Sequence, residues 1–364
     1  MDRRKFATLA GAGATGTLIG APAIAQPNPE IKWRWVSSFP KTATSSWPMT
    51  QAFAQRVGEL TDGKFQIQLF GPGEIVAPLA VLDAVQSGTV EAGFTATYFY
   101  FGKDPAFAFG TAIPFGMNTR QMAAWMHVGG GLKLLNEFHA KHGVHYVPMG
   151  GTGAQMGGWY RREIKTLDDL KGLKMRISGL GGQVLQRLGV LPQQLAASDV
   201  YPALERGVLD AVEYTNPLDD EAMGLHKVAK YYYTPGWWEG ALQVGHLINK
   251  QKWDALPERY KTALQVAATE QDQAIIHNYD AKNAAALKRL LALGVELRTF
   301  PREVMSAAYK ENLAALDEIA AKNADFKKLY EHYWAFRNDA LLWFRVAEAN
   351  YDNFVQAEYG RVKR

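Results

Sequence analysis

Arg176 carries the side chain best suited to holding a small acid, and it lies at the end of a predicted strand. A guanidinium group pairs with a carboxylate through two parallel hydrogen bonds and stays charged at any relevant pH. In a closed cleft such a pair contributes roughly 1.5 to 3 kcal/mol. The alternative is an ion pair between Arg176 and a nearby Asp or Glu, and the sequence pattern by itself favours neither.

Glu213 and Glu239 would conflict with an anionic ligand if they faced the same cleft. Two carboxylates beside a bound acid repel it, so the pocket would need a second positive charge. A hard cation could supply that charge, and oxygen ligands suit Na⁺ or Ca²⁺ better than zinc. The alternative is that one or both glutamates form salt bridges at the surface.

Aromatic residues cluster at Tyr98–Phe101 and at Trp237–Trp238. These rings could cover the apolar end of a small ligand, and Tyr100 and Trp159 are candidates for the wall of the cleft. Core packing is the alternative for each ring, because aromatic side chains bury large areas wherever they lie.

Three histidines, His139, His142 and His145, share a spacing of three residues that could indicate a metal site. They straddle Gly143 and the start of a predicted strand, so they would not share one helical face. The motif H-E-x-x-H is absent from the sequence. We therefore expect a solvated loop cluster.

Composition excludes several kinds of protein. The 364 residues contain no cysteine, which rules out thiol catalysis, thiolate metal sites and disulfides. The formal net charge is +4 and the charges are well mixed, so we expect no nucleic-acid partner. The nucleophile motif G-x-S-x-G is absent, and we expect no enzymatic activity. An exported hydrolase stays an alternative, since catalytic triads need not be local in sequence.

Residues 1–25 have the anatomy of a bacterial export signal. Adjacent Arg3 and Arg4 precede an uncharged stretch, and Ala23–Ala25 forms an Ala-x-Ala cleavage pattern. The paired arginines predict the twin-arginine route. The Ala-x-Ala pattern predicts cleavage after Ala25, and we expect a periplasmic mature protein. An N-terminal membrane anchor is the alternative, but the apolar stretch is only weakly hydrophobic and ends in small residues.

The chain beyond the signal is too long for one ordinary core and suits two lobes. Alternating strands and helices predict that 26–150 is mainly a first α/β lobe. The pattern restarts over 151–250, which predicts a second α/β lobe with crossings between the lobes. Residues 251–364 are predicted to be almost all helical and to pack on the lobes. Open α/β sheets bind ligands at the carboxyl ends of their strands.

The segments Gly172–Ile177, Tyr201–Glu213 and Ile248–Pro257 resemble, in this order, three motifs of one family, the DctP receptors of TRAP transporters. Gly172–Ile177 is similar to its G-L-K-hydrophobic-R strand, Tyr201–Glu213 to its Y-x-A-L-x-x-G-x-x-D-x-x-E segment, and Ile248–Pro257 to its I-N-K-x-x-W-D-x-L-P segment. The resemblance covers nearly the whole mature chain. It implies a two-lobed, periplasmic-binding-protein-like α/β fold with mainly parallel sheets, a ligand cleft between the lobes and a helical C-terminal part.

Within that family the chain most resembles the branch that binds 2-oxo and 2-hydroxy monocarboxylates, such as pyruvate or lactate. The resemblance rests on Gln155–Trp159, Tyr231–Tyr233 and Pro235–Gly240. It implies a cation, Na⁺ or Ca²⁺, bound beside the acid. The implied contacts to substrate and metal are Gln155, Arg176, Glu213, Tyr214 and Glu239. Tyr214 departs from the branch, whose closest members carry a tryptophan there, so the preferred acid could differ.

The implied function is that of an extracytoplasmic receptor that closes its lobes on a small carboxylic acid. It would deliver the acid to TRAP membrane permease subunits. The aromatic C-terminal helix could pack on its own lobe or on another subunit, and we expect a homodimer. An exported ligand-sensing subunit for signalling would share the same fold and pocket, so it stays an alternative.

Overall fold

The computed structural model describes residues 28–361. The predicted export signal, its paired arginines and its cleavage after Ala25 lie outside these residues. None of the helices in 28–361 combines the length and the apolar character that crossing a bilayer requires.

Eleven strands in the described part of the chain form two sheets. They are β1 (Ile31–Ser37), β2 (Phe65–Phe70), β3 (Ala92–Thr95), β4 (Val144–Gly151), β5 (Gly158–Tyr160), β6 (Lys174–Arg176), β7 (Leu191–Gln193), β8 (Ala211–Val212), β9 (Tyr231–Thr234), β10 (Gln243–Asn249) and β11 (Glu296–Thr299). The first sheet has the order β2-β1-β3-β10-β4, and the second has the order β11-β9-β5-β8-β6-β7. Each sheet is the centre of one lobe.

Helices cover the sheets and link them. They are α1 (Ser46–Leu60), α2 (Val81–Gln86), α3 (Thr119–His127), α4 (Gly131–Lys141), α5 (Gly179–Arg187), α6 (Ala197–Glu205), α7 (Pro217–Met223), α8 (Lys250–Asp254), α9 (Glu258–Ala292), α10 (Arg302–Ala320), α11 (Ala324–Phe344) and α12 (Asn350–Arg361). A π-helical turn over Arg345–Ala349 joins the last two helices.

Strand β1 shows why the sequence pattern identified the first lobe. Trp33 and Trp35 are buried in a core with Phe53 of α1, whereas Arg34 points to the opposite face. This alternation follows from the period of two in a strand, which sends successive side chains to opposite faces. Strand β1 pairs in parallel with both β2 and β3.

Strands that return from the other lobe make the sheets mixed. Of the nine strand pairs in 28–361, five are parallel, and β10 runs antiparallel to both β3 and β4. Strand β11 interrupts the region predicted to be helical and pairs with β9 at the edge of the second sheet. These returning strands bring segments that are distant in sequence to the cleft between the lobes.

Helix α9 connects the two lobes. With 35 residues it is roughly 50 Å long. Its first turns place Tyr260 and Leu264 in the core of the first lobe, whereas Leu290 near its end belongs to a core of the second lobe. The middle of the helix therefore lies beside the cleft.

The histidine prediction was wrong for His139, which is fully buried in α4. Its Nδ1–H donates to the carbonyl oxygen of Leu135 at 2.7 Å, and burial lowers its pKa to about 3. His145 stacks on Trp253 with ring centroids 3.8 Å apart. His142 packs against Phe107 and Phe138, so all three rings have packing contacts. No group of three metal-binding side chains occurs in residues 28–361.

Candidate functional site

A cavity lies between the two lobes and is bordered by both of them and by α9. The space inside it is about 680 Å³, a volume that includes the open mouth. Phe39, Tyr98 and Phe99 line it from the first lobe, and Ile275 and Tyr279 from α9. The second lobe contributes the polar wall, which includes Gln155, Arg176, Tyr214, Thr215 and Asp219.

Arg176 ends β6 at the carboxyl edge of the second sheet and is only 4 % exposed. Its Nη1 donates to the carboxylate of Glu213 at 3.0 Å and to the backbone carbonyl oxygen of the same residue. Within residues 28–361, Nη2 has no hydrogen-bond acceptor. One edge of the guanidinium is thus fixed by Glu213, while another nitrogen is available to an anion in the cavity.

Glu213 and Glu239 lie together behind the cavity wall, and both are almost completely buried. Burial and the neighbouring Glu239 raise the pKa of Glu213 well above its usual value, against the opposing charge of Arg176. Burial raises the pKa of Glu239 to about 7. One guanidinium therefore faces two carboxyl groups, and when both are ionised a further anion would be repelled unless a second cation were present.

Gln155 completes this polar cluster, and its amide Nε2 donates to Thr152 Oγ1 at 3.0 Å. Its own Oε1, together with Glu213 Oε1 and Glu239 Oε2, is buried without a hydrogen-bond partner in the described part of the chain. A buried oxygen without a donor carries the full cost of losing water. Three such atoms from neighbouring residues form the donor set that a hard cation prefers.

The backbone around the cluster is closely packed. Gln155 N donates to the Glu239 carbonyl oxygen at 3.1 Å, and Gly236 N donates to the Gln155 carbonyl oxygen at 3.0 Å. A Cβ at Gly236 would lie 2.6 Å from the carbonyl oxygens of Gln155 and Met156, so only glycine fits there. These contacts fix the segment at Gln155 against the segment from Gly236 to Glu239.

Tyr214 lies next to Glu213, and its ring lines the cavity and the adjoining outer cavity near α6 and α7. Burial raises the pKa of the Tyr214 hydroxyl above its usual value, which already lies well above neutral pH. The phenol is therefore neutral and can serve as a wall or a hydrogen-bonding group.

Tyr100 does not line the cavity, although the sequence suggested it as a wall residue. Its hydroxyl accepts a hydrogen bond from Leu82 N at 3.2 Å and pairs with Thr95 Oγ1 at 2.9 Å inside the first lobe. The neighbouring Tyr98 and Phe99 line the cavity instead, because the chain turns through a 3₁₀ helix at Thr97–Tyr100.

Trp159 is also placed in the core of the second lobe and not in the cavity wall. It is fully buried, its ring stacks on Tyr232 at 4.1 Å, and its Nε1 donates to Asp220 at 3.0 Å. Trp237 and Trp238 are likewise buried, and Trp237 stacks on Phe115. For these rings the core-packing alternative is the observed one.

Residues that the sequence did not single out make up much of the apolar wall. Phe39, Leu242, Val244, Ile275 and Tyr279 line the cavity but belong to no local motif. Tyr98 and Phe99 belong to the aromatic run noted in the sequence. The sequence alone does not show which rings of that run face the cavity.

Residues 37–323 match the DctP family, described as bacterial extracellular solute-binding protein, family 7. This match covers most of the chain. The chain belongs to this family.

Several known solute-binding proteins are similar to this one over almost the whole chain. A monocarboxylate 2-oxoacid-binding periplasmic protein of Nostoc sp. is 46 % identical over 329 residues, which are 90 % of each chain. A TRAP transporter solute-binding protein of Bordetella bronchiseptica, solved as a mixed-occupancy dimer with copurified calcium and picolinate, has 45 % identity and a TM-score of 0.90, covering 92 % of this chain and 100 % of the other.

A third relative was solved with a different cation. The TRAP periplasmic solute-binding protein of Pseudoalteromonas atlantica, with bound sodium and pyruvate, is 34 % identical with a TM-score of 0.86. The alignment covers 89 % of this chain and 99 % of that one. The two-lobed fold expected from the sequence is thus the fold of this solute-binding family.

Proposed function

We propose that this solute-binding protein is the receptor of a TRAP transporter for a small 2-oxo or 2-hydroxy monocarboxylate, which it binds together with Na⁺ or Ca²⁺. The observation that carries the proposal is the set of three partnerless oxygens, on Gln155, Glu213 and Glu239, beside a guanidinium that lines the cavity. The relatives that bind pyruvate or picolinate with a cation support the same conclusion.

Arg176 would hold the carboxylate of the acid through the nitrogen that Glu213 leaves available. Among the side chains of residues 28–361 that line the cavity, Arg176 is the only cationic one and Asp219 the only anionic one. A second carboxylate on the ligand would meet apolar side chains or Asp219. This charge distribution favours a monocarboxylate over a dicarboxylate.

The residues present fit a hard cation. Gln155, Glu213, Glu239 and the backbone carbonyl of Tyr214 would hold it, and the acid would complete its oxygen ligands. When bound, the cation would neutralise the excess negative charge created by two glutamates and an anionic ligand. Glu213 would contact both the cation and Arg176, because one carboxylate oxygen is available to the cation and the other accepts from Arg176.

The lobes would close on the acid, and Tyr98 and Phe99 of the first lobe would cover its apolar end. In this structure the lobes are in contact: Gln194 Nε2 of the second lobe donates to the Phe99 carbonyl oxygen at 3.0 Å. The closed receptor would deliver its ligand in the periplasm to TRAP membrane permease subunits, as membership of the family implies.

The C-terminal helix supports a homodimer. Tyr333 and the first turns of α11 pack on the first lobe, but most of the apolar side chains from Leu342 onward are exposed. Leu342, Trp343, Val346, Tyr351, Phe354 and Tyr359 are each at least 60 % exposed. Such a surface on a helix is typical of an interface with another copy of the chain.

Dimer formation can be tested by sedimentation velocity on Phe354→Glu, with Val128→Glu as a control at an exposed apolar position outside α12. We expect the first variant to be monomeric and the second to behave as the wild type. A wild-type monomer at micromolar concentration would overturn the dimer without affecting the proposed ligand.

The ligand is tested by thermal unfolding of the mature protein with pyruvate, lactate, longer 2-oxo acids, dicarboxylates and sugars. Each is added with sodium, with calcium and after chelation. A ligand that binds only the folded state raises the unfolding midpoint as its concentration exceeds Kd. We expect a rise with monocarboxylates that requires a cation. A shift with sugars alone would discard the roles given to Arg176, Glu213 and Glu239.

A further inference from the structure

Asp219 joins three parts of the protein at the mouth of the cleft. It belongs to α7 of the second lobe, and its Oδ1 accepts a hydrogen bond from Thr44 Oγ1, in the loop between β1 and α1 of the first lobe. Its Oδ2 accepts from Tyr279 Oη of α9 at 2.6 Å. One carboxylate thus bonds to the first lobe and to the helix that links both lobes.

The carboxylate that accepts these hydrogen bonds is buried, although Thr44 itself is exposed. Asp219 is 5 % exposed and Tyr279 is 2 % exposed. Burial raises the pKa of Asp219, whereas the hydrogen bonds from Thr44 and Tyr279 oppose that rise by stabilising the carboxylate. A hydrogen bond to a charged group contributes more than one between neutral groups. The Gln194–Phe99 bond between the lobes is neutral and exposed, so it should contribute less.

The position of Asp219 relates this contact to ligand exchange. Asp219 and Tyr214 line both the ligand cavity and the outer cavity, whose other wall includes Thr42 and Thr44 of the first lobe. The bond between Thr44 and Asp219 therefore crosses between the lobes at the boundary of the two cavities. Separation of the lobes at this mouth would have to break it.

We propose that Asp219 is a positioning residue that latches the closed lobes through Thr44 and thereby sets the dissociation rate of the bound acid. Tyr279 orients the carboxylate for this contact. The inference rests on the proposed function, since it requires an acid on which the lobes close. Because the latch forms after the ligand has entered, it should affect dissociation much more than association.

The test is stopped-flow tryptophan fluorescence with pyruvate and calcium chloride, in which the observed rate against pyruvate concentration gives both rate constants. Thr44→Val removes the donor hydroxyl and should raise the dissociation rate roughly tenfold, with the association rate nearly unchanged. Thr44→Ser keeps the hydroxyl and should retain the wild-type rate. Thr42→Val, at an exposed neighbouring position, controls for loss of a loop hydroxyl.

A double-mutant cycle separates a latch from a general loss of stability. Asp219→Ala removes the acceptor and should also speed dissociation, and the double variant with Thr44→Val should add little, because both changes remove the same bond. Unchanged dissociation in Thr44→Val, additive effects, or equal rates in the Ser and Val variants would overturn the latch. Absence of binding of every acid by the wild type would instead overturn the proposed function.

Discussion

Arg176 and Glu213 are locked to each other at the base of the cleft, where Nη1 of the arginine contacts both the carboxylate and the backbone carbonyl oxygen of the glutamate. This pairing orients the guanidinium before any ligand arrives. It also leaves Glu213 Oε1 without a partner, beside the partnerless oxygens of Gln155 and Glu239. The same residue pair thus prepares one position for an anion and another for a cation.

Replacing Arg176 with lysine should weaken acid binding while keeping the charge. An ammonium group lacks the planar fork that can contact Glu213 and a ligand carboxylate at once. We expect the Kd for pyruvate, measured by titration calorimetry, to rise about 10- to 100-fold. Arg162→Lys, at an exposed position, should have no effect. An unchanged Kd in Arg176→Lys would remove this residue from the carboxylate contact.

Glu239→Gln should weaken binding of the cation. The variant keeps the shape of the side chain but removes one of two buried carboxylates, so the cation loses a charged ligand. We expect the calcium concentration needed for half of the pyruvate-induced rise in unfolding midpoint to increase at least tenfold. Glu258→Gln is the control, because that side chain is 84 % exposed. Equal calcium dependence in both variants would contradict the cation site.

Gly179→Ala should impair closure of the lobes. Gly179 begins α5 with a φ of +63°, and an added Cβ would lie 2.8 Å from Cδ2 of Tyr98 in the opposite lobe. Gly172→Ala is a matched control, since φ there is +71° and nothing lies within 4 Å of the added atom. Both variants should lose about 1 to 2 kcal/mol of stability from the left-handed backbone.

Only Gly179→Ala should also weaken pyruvate binding, by tenfold or more, because only its methyl group meets the other lobe. Titration calorimetry on both variants at a temperature well below their unfolding midpoints measures this difference. Equal affinities would indicate that Tyr98 does not approach α5 in the ligand-bound form.

Asp220 should make stability depend on pH in the ligand-free protein. Its buried carboxylate accepts from Trp159 Nε1 at 3.0 Å and from Tyr232 Oη at 2.6 Å, yet burial raises its pKa to about 6. The folded state therefore binds this proton more tightly than the unfolded state. The stabilisation is fully present below pH 4 and is lost as the pH rises through 6.

Asp220→Asn cannot titrate at this position, so the wild type should lose about 2 kcal/mol relative to the variant between pH 4 and pH 7. Urea unfolding of both proteins at several pH values, with chelator present, measures the difference. A stability difference that does not change with pH would show that Asp220 titrates normally.

Much of the second lobe's site could be predicted from the sequence. Arg176 and Glu213 fall at or just after strands whose apolar patterns are local, and the carboxyl ends of neighbouring parallel strands meet at one edge of a sheet. Similarity to family motifs then suggested Gln155 and Glu239, which the structure brings beside them. The two α/β patterns likewise predicted two lobes, because strand and helix periods are properties of short segments.

Only the tertiary structure decided which aromatic rings line the cavity and what joins the lobes. Tyr98 lines the cavity, whereas Tyr100 packs in the core of the first lobe. A single 3₁₀ turn directs these two rings, two positions apart, to different sides. The contact of Asp219 with Thr44 and Tyr279 joins residues that are 175 and 60 positions apart in the sequence. No local pattern encodes such contacts, since they depend on how two lobes and one long helix pack together.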